Sequence, residues 1–200
     1  RRERLLAAAL EIFAAKGFGA AKVRDVCREA KLTERYFYES FTDKEALLMA
    51  LGDGIVVDLV MEAGPAITLF PTDPRAALSL GAQAVVSALT DDPRKARILF
   101  VEVVGVSPAV EDRRRALIGT IAQVVGDAAL AGRKHGGERP IEVELIARSL
   151  IGAAQELLVA FAREELDLSR ELLVASVEEL LRRASTTFET ISFEAERATT

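Results

Sequence analysis

Residues that form reactive or cross-linked sites are scarce in this sequence. Its 200 residues include one cysteine, Cys27, one histidine, His135, and no tryptophan. A single cysteine cannot form an intramolecular disulfide, and the clustered ligands of a zinc site are missing. Cys27 follows an apolar helical stripe and is expected to be a small core residue, whereas His135 lies in a polar stretch. We therefore expect no metal site and no redox centre.

Sequence motifs of the common enzyme classes are missing as well. The chain has no glycine-rich phosphate loop and no nucleophile elbow, and His135 is its only candidate imidazole base. Its many carboxylates have the spacing of solvated helix faces. We therefore expect no enzymatic activity, no catalytic residue and no cofactor.

Long uninterrupted apolar runs are also missing. Charged residues such as Asp58, Glu102 and Glu156 interrupt each run before it reaches the roughly 18 residues of a membrane span. No signal peptide is recognisable, so a cytoplasmic location is expected. The chain starts inside a helical pattern without Met, which leaves open whether an N-terminal arm precedes it.

Charge is distributed unevenly along the chain. The whole sequence has a formal net charge of -5, which by itself argues against a nucleic-acid partner. Residues 1–51, however, contain ten Lys and Arg against eight Asp and Glu, whereas the remainder contains 16 basic and 23 acidic residues. A basic module attached to an acidic body is indicated.

Composition and periodicity predict an all-α fold. Hydrophobic residues make up 50% of the chain, and Ala and Leu dominate over β-branched and aromatic residues. Apolar residues recur at helical spacing up to Lys16, where Gly17 supplies a stop signal. A short second helix is predicted over 22–30, and Thr33 can cap a third that runs to Tyr38. Two short helices joined by so tight a turn and packed on a longer one form a helix-turn-helix.

A fourth helix is predicted to connect this module to the rest of the chain. The sequence Thr42-Asp43-Lys44-Glu45 reads as a capping box, with Thr42 as the cap, and Gly64-Pro65 ends the helix. Five more helices are predicted over about 75–90, 93–104, 108–132, 140–164 and 169–191, with an exposed polar loop over 132–139. The prediction is about nine helices, divided into a domain over 1–47 and a larger helical domain over 48–200.

The N-terminal pattern resembles the DNA-binding domain of the TetR (TetR/AcrR-like) family of transcription regulators. The resemblance covers roughly residues 4–51. The matching residues are Gly17-Phe18, Val23 to Ala30, Leu32-Thr33, Tyr36-Phe37-Tyr38, Phe41 and Lys44 to Leu48. It implies a helix-turn-helix domain followed by a helical effector-binding and dimerisation domain. It also implies DNA contacts for Thr33, Tyr38 and Lys44.

Physical chemistry places the base-reading residues on the third helix, since an α-helix fits the major groove. Arg35 is the first candidate for a bidentate contact to guanine, and Tyr36 is suited to a thymine methyl or a phosphate. Glu34 and Glu39 would repel phosphate unless they accept from cytosine N4 or lie off the interface. The predicted DNA-binding set is Lys22, Arg24, Thr33, Glu34, Arg35, Tyr36, Tyr38 and Lys44.

Two positions depart from the family pattern. Lys31 occupies the turn position that is usually Gly, and Lys22 occupies the usual Thr at the start of the second helix. Both changes add positive charge, which DNA tolerates. They leave the turn geometry and one phosphate contact open.

The body is predicted to bind a second copy of the chain and a small molecule. The family resemblance implies a homodimer through the last two long helices, about 140–164 and 169–191, and both have wide apolar stripes. Such a dimer would bind a pseudo-palindromic double-stranded operator. A small, largely apolar effector is expected in the body's interior. Its candidate lining residues are Met61, Phe70, Phe100, Glu102, Val103, Val104, Ile118, Ile121, Gln155 and Phe161.

Glu102 is singled out because it interrupts an apolar run. A buried charge there requires a partner such as Arg97, Arg148 or a ligand, and the alternative is that Glu102 faces water. The resulting hypothesis is a DNA-binding regulator, with repression as the family-level expectation. The alternatives are a ligand-sequestering helical protein and an interaction scaffold, both of which predict DNA binding that is absent or insensitive to salt.

Overall fold

The structure is a computed structural model, and it describes residues 1–69, 71–130, 141–165, 169–180 and 183. No β-strand occurs among these residues, and the all-α prediction is confirmed. The helices are α1 (Arg2–Lys16), α2 (Val23–Glu29), α3 (Glu34–Ser40), α4 (Lys44–Glu62), α5 (Gly64–Ile67), α6 (Pro74–Asp91), α7 (Pro93–Arg97), a π-helical turn (Ile98–Glu102), α8 (Pro108–Leu130), α9 (Ile141–Ala162) and α10 (170–180).

The first three helices form the predicted helix-turn-helix. Helix α1 ends at Gly17, whose φ of 80° lies in a region that glycine adopts at little cost. Helices α2 and α3 are separated by a turn in which Lys31 has a φ of 52°. Thr33 is the N-cap residue of α3 as predicted, but its side chain makes no capping hydrogen bond.

The core of this N-terminal unit (residues 1–51) is formed by large side chains that are fully buried. Phe13 from α1, Phe37 from α3 and Leu47 from α4 all have 0% exposure. The ring of Phe37 also packs against Phe41, with centroids 5.9 Å apart. These contacts fix the rotation of α3 about its axis and therefore determine which of its side chains face outward.

The start of α4 corrects one sequence prediction. The cap is Asp43, whose carboxylate accepts a hydrogen bond from the amide of Ala46 at 2.7 Å. The Thr42 hydroxyl donates to Asp43 at 3.3 Å, and Glu45 accepts from the Ser107 hydroxyl at 2.7 Å. Thr42 and Glu45 therefore do not form a capping box, because Asp43 already satisfies the first turn.

The helices of the body agree with the predicted ones except in two places. The predicted helix over 93–104 is divided into α7 and the π-helical turn, and the four-residue α5 was not predicted. Asp73 and Asp92 cap α6 and α7 through the amides of Ala76 and Arg94, and a proline follows each cap at the first position of the helix. The predicted polar loop over 132–139, with His135, and the end of the last helix over 184–191 lie outside the described residues.

Helix α4 physically joins the two parts of the chain. It continues without a break from Lys44 to Glu62 across the boundary predicted at residues 47 and 48. Buried residues of α4, including Leu51, Ile55 and Leu59, belong to the same hydrophobic cluster as Leu5 and Phe13. The N-terminal unit and the body therefore share one continuous core.

Helix α9 has an unusually apolar composition. It is long and apolar enough to cross a membrane, with a mean hydropathy of 1.5 over its most apolar window. A lone helix of this kind is weak evidence for membrane insertion, because helices that pack in soluble proteins pass the same test. Its apolar residues include the stripe predicted from the sequence to form a dimer interface.

Candidate DNA-binding interface

The outward face of α3 carries the candidate base-reading side chains. Arg35 has 85% of its side chain exposed and Tyr38 is 58% exposed, while Phe37 between them is fully buried. Thr33 and Glu34 at the start of the helix are exposed as well. Burial of Phe37 on one side therefore turns Arg35 and Tyr38 toward solvent, as a recognition helix requires.

Glu39 lies beside Arg35 and restrains its guanidinium. The Arg35 Nε donates to the Glu39 carboxylate at 3.1 Å, one helical turn further along α3. This contact uses the Nε edge of the guanidinium, while a bidentate contact to guanine can be made by the two terminal nitrogens. The pair accounts for an acidic residue on the candidate recognition helix.

Tyr36 is less exposed to solvent than Arg35 and Tyr38. It is half-buried, and the guanidinium of Arg1 lies 4.0 Å from its ring centroid. A cation over an aromatic face is attracted by the ring quadrupole. This contact places Arg1, the residue before α1, next to α3. It adds a positive charge beside the outward face of α3.

The candidate phosphate contacts on α2 are exposed at its N-terminus. Both Lys22 and Arg24 are exposed. The Lys22 amide donates to the Asp25 carboxylate at 3.1 Å, and this hydrogen bond is the main reason the pKa of Asp25 is lowered. Lys16 and Arg28 contribute to the lower pKa of Asp25, which therefore stays ionised and holds the start of α2.

Lys44 has a structural role besides any contact to DNA. Its ammonium donates to the carbonyl of Phe18 at 2.5 Å and to that of Ala21 at 2.8 Å, and it lies 4.2 Å from the Phe18 ring centroid. Burial lowers the pKa of this ammonium. An ammonium has three N–H donors, so one donor of Lys44 remains for a phosphate oxygen.

The turn between α2 and α3 is held by a residue that sequence reasoning missed. The guanidinium of Arg4 donates to the carbonyl of Ala30 at 2.5 Å and to that of Lys31 at 3.3 Å. These carbonyls belong to the end of α2, where helical acceptors lack partners. Arg4 therefore supports a turn in which Lys31 adopts the left-handed conformation usual for Gly.

The carboxylate of Glu102 connects the body to the N-terminal unit. One oxygen accepts from the amide of Phe18 at 2.6 Å and the other from the Nε of Arg97 at 2.9 Å. The Glu102 side chain is only 9% exposed. Of the partners considered from the sequence, Arg97 is the one observed, whereas Arg148 pairs with Glu144. The amide of Phe18 could not have been identified from the sequence as a partner of Glu102, because it is a backbone group.

The candidate effector-binding residues do not all lie together. Phe100, Val103 and Phe161 belong to the main hydrophobic cluster, while Ile118 and Gln155 are half-buried. Met61 is 74% exposed, Val104 56% and Ile121 41%, so these three face outward from the single chain. In the single chain they lie at the surface, and their assignment to an effector site stays a prediction. Phe70 lies outside the described residues.

Helices α9 and α10 expose apolar side chains on the surface. Ile141, Leu145 and Leu172 are each more than half exposed. Leu172 also lines an open, mostly apolar groove with a volume of about 460 Å³. The groove is lined by Leu157, Leu172, Ala175, Ser176, Glu179, Leu180 and Arg183. Contiguous exposed apolar surface can mark an interface between proteins.

Comparison with known sequences agrees with the N-terminal geometry. Residues 5–51 match the model of a family described as bacterial regulatory proteins, tetR family. This segment spans α1 to α3 and the first turns of α4. No curated protein matches the sequence significantly.

Solved structures resemble the chain over nearly its whole length. A bacterial regulatory protein in the tetR family from Rhodococcus RHA1 is 26% identical, with a TM-score of 0.66 and 90% of this chain and 95% of that one covered. A putative TetR-family transcriptional regulator from Syntrophomonas wolfei is 18% identical, with a TM-score of 0.76 and coverages of 93% and 95%. The transcriptional regulator FadR from Bacillus subtilis, solved in complex with stearoyl-CoA, is 18% identical, with a TM-score of 0.72 and coverages of 90% and 97%.

Proposed function

We propose that this chain, whose residues 5–51 match the tetR family of bacterial regulatory proteins, is a TetR-type regulator. Specifically, it is a cytoplasmic, sequence-specific repressor released by a small, largely apolar effector. The observation that carries this proposal is the outward face of α3. Exposed Arg35 and Tyr38 flank Phe37, whose complete burial fixes the orientation of the helix.

Each residue of the predicted set receives a role in this proposal. Arg35 reads guanine through its terminal nitrogens while Glu39 holds its Nε. Tyr36 contacts a thymine methyl, and Glu34 is suited to cytosine N4 at the start of the helix. The phosphate contacts come from Lys22, Arg24, Thr33, Tyr38 and the remaining donor of Lys44, and they fix the register of the helix without reading sequence.

The functional unit in this proposal is a homodimer. The exposed apolar residues of α9 and α10 supply a surface that can bury itself against a second copy, forming a four-helix bundle. Two recognition helices related by a two-fold axis would contact half-sites about 34 Å apart on a pseudo-palindromic operator.

The proposed effector is apolar because the body's core is apolar. Phe100, Val103 and Phe161 contribute to the hydrophobic cluster between the N-terminal unit and the body. The structural relative from Bacillus subtilis was solved with stearoyl-CoA, a ligand with a long apolar chain. An effector of that character would favour one arrangement of the body and change the spacing of the two recognition helices.

The first test is selection of bound fragments from genomic DNA by the full-length protein, followed by titration of the best fragment at two salt concentrations. A pseudo-palindromic sequence should be recovered, with affinity that falls steeply as salt rises. Arg35→Ala and Tyr38→Ala should weaken binding, whereas Arg115→Ala, which removes an exposed guanidinium of α8, should not. No enrichment over random DNA would favour a ligand-sequestering protein instead.

A further inference from the structure

A chain of polar contacts runs from the body to the candidate DNA surface. Arg97 donates to Glu102, Glu102 accepts from the amide of Phe18, and the carbonyl of Phe18 accepts from Lys44. The distances are 2.9, 2.6 and 2.5 Å in that order. We call these four residues the Glu102 bridge. Its far end is a candidate phosphate-binding ammonium.

The Glu102 bridge contacts the turn between α1 and α2. Gly17, which begins this turn, has a φ of 80°, and a Cβ built on it would lie 3.5 Å from a carboxylate oxygen of Glu102. The carboxylate therefore lies against the backbone of the turn. Because the amide and the carbonyl of Phe18 are both engaged, movement of Glu102 must displace the turn or break a hydrogen bond.

Two other polar contacts join the two parts of the chain. The Arg94–Glu11 ion pair has side chains that are 42% and 55% exposed. Exposed ion pairs are weak and are screened by salt, whereas a largely buried carboxylate must keep its partners. The Ser107 hydroxyl donates to Glu45 at 2.7 Å in a partly buried contact. Of the three carboxylates, Glu102 is the one that contacts the Phe18 peptide, and it holds the cationic side chain of Arg97 at the same time.

The element that carries Glu102 is itself irregular. Glu102 is the last residue of the π-helical turn, which interrupts the helix begun by α7. Phe100 and Ile98 of this turn pack in the hydrophobic cluster where the effector is proposed to bind. Such turns recur at functional sites, and here the turn joins the cluster to the bridge.

We propose that Glu102 is a positioning residue for operator binding, which acts through the Phe18 peptide to hold Lys44 against the phosphate backbone. The inference rests on the proposed function and extends it, since it assigns a residue of the body a role in DNA affinity. Glu102 does not touch DNA. An effector that shifts the π-helical turn would weaken operator binding by displacing this carboxylate.

The experiment compares Glu102→Gln with the matched control Glu11→Gln. Both remove one carboxylate between the body and the N-terminal unit, but Glu11 is exposed and has no contact with Phe18. The probes are the best fragment selected by the unchanged protein and a shuffled duplex of equal length. Affinity is expressed per folded protein, and thermal unfolding and amide exchange of Phe18 are recorded for each variant.

We expect Glu102→Gln to weaken binding of the selected fragment about tenfold, a typical coupling between sites, and to speed exchange of the Phe18 amide. Glu11→Gln should leave affinity within about twofold. In a Lys44→Gln background, Glu102→Gln should weaken binding by less than about threefold, because the two residues act through one contact. Arg97→Gln provides the same comparison if Glu102→Gln does not fold.

The inference is overturned if folded Glu102→Gln binds the selected fragment like the unchanged protein, or if its effect adds fully to that of Lys44→Gln. An equal loss in Glu11→Gln would also overturn it, because general weakening of the contact between the two parts would then suffice. If the unchanged protein selects no fragment, the proposed function and this inference fail together. If the unchanged protein binds a specific fragment and Glu102→Gln binds it with the same affinity, the inference fails while the proposed function stands.

Discussion

The N-terminal unit and the body differ in how completely one chain buries its apolar residues. Leu5, Phe13 and Phe37 in the N-terminal unit are fully buried, and Tyr38, a candidate DNA contact, is the only large apolar side chain that this unit exposes. The body exposes Ile121 and Val124 on α8, and Ile141 and Leu145 on α9, among the described residues. The N-terminal unit therefore buries its apolar residues within one chain, whereas the body leaves apolar surface that the proposed dimer would cover.

The largest effect is expected from emptying the core of the N-terminal unit. Phe37→Ala removes a fully buried ring beneath the recognition face and should lower the free energy of unfolding by about 3–5 kcal/mol. Chemical denaturation measures this loss. Val124→Ala on the exposed side of α8 should change the free energy of unfolding by less than about 0.5 kcal/mol in the monomer. Equal losses in both variants would contradict the contrast between the two regions.

The next largest effect is expected from a charge placed on the exposed apolar surface of the body. Leu145→Glu places a charge at a position that is 57% exposed in one chain, so the monomer should fold normally. In a dimer through α9 and α10 the same charge would be buried without a partner, and dissociation should become at least about a hundredfold easier. Sedimentation velocity measures the change. Val57→Glu on α4, which is 60% exposed, is the control that should remain dimeric.

A smaller effect is expected from the Arg35–Glu39 pair. Glu39→Gln removes a negative charge near phosphate, so binding to shuffled DNA should stay equal or become stronger. Preference for guanine at the position that we propose Arg35 reads should fall by about three- to tenfold, because the guanidinium loses its restraint. Binding to operators substituted at single positions measures both changes. Glu29→Gln, also exposed in the N-terminal unit, should not alter the base preference.

The smallest effect concerns the turn between α2 and α3. Lys31→Gly should raise the free energy of unfolding by about 0.5–1 kcal/mol, because Lys31 has a φ of 52° and only Gly adopts that conformation at little cost. Thermal unfolding measures the gain. Lys31→Ala keeps the Cβ and should give no gain, so equal stabilisation by both substitutions would rule out backbone strain as the cause.

The helices of the N-terminal unit were predictable because their signals are local. Gly17 marks the end of α1, and the aromatic and apolar positions from Val23 to Leu48 are in register with the family pattern. The cap of α4 was harder to predict from the sequence, because Thr42 and Asp43 are both good capping residues. Only the structure shows that Asp43 is the cap. The π-helical turn was not predictable from an apolar run that fits an ordinary helix.

The sequence by itself determined the helical fold and the helices of the N-terminal unit, since these follow from periodicity and from local backbone preferences. Only the tertiary structure decided the backbone partners of Glu102 and Lys44, which include the amide and the carbonyl of Phe18. It also placed Met61 and Ile121 on the surface. Backbone groups carry no side-chain signal, and contacts between residues far apart in the sequence depend on how the helices pack.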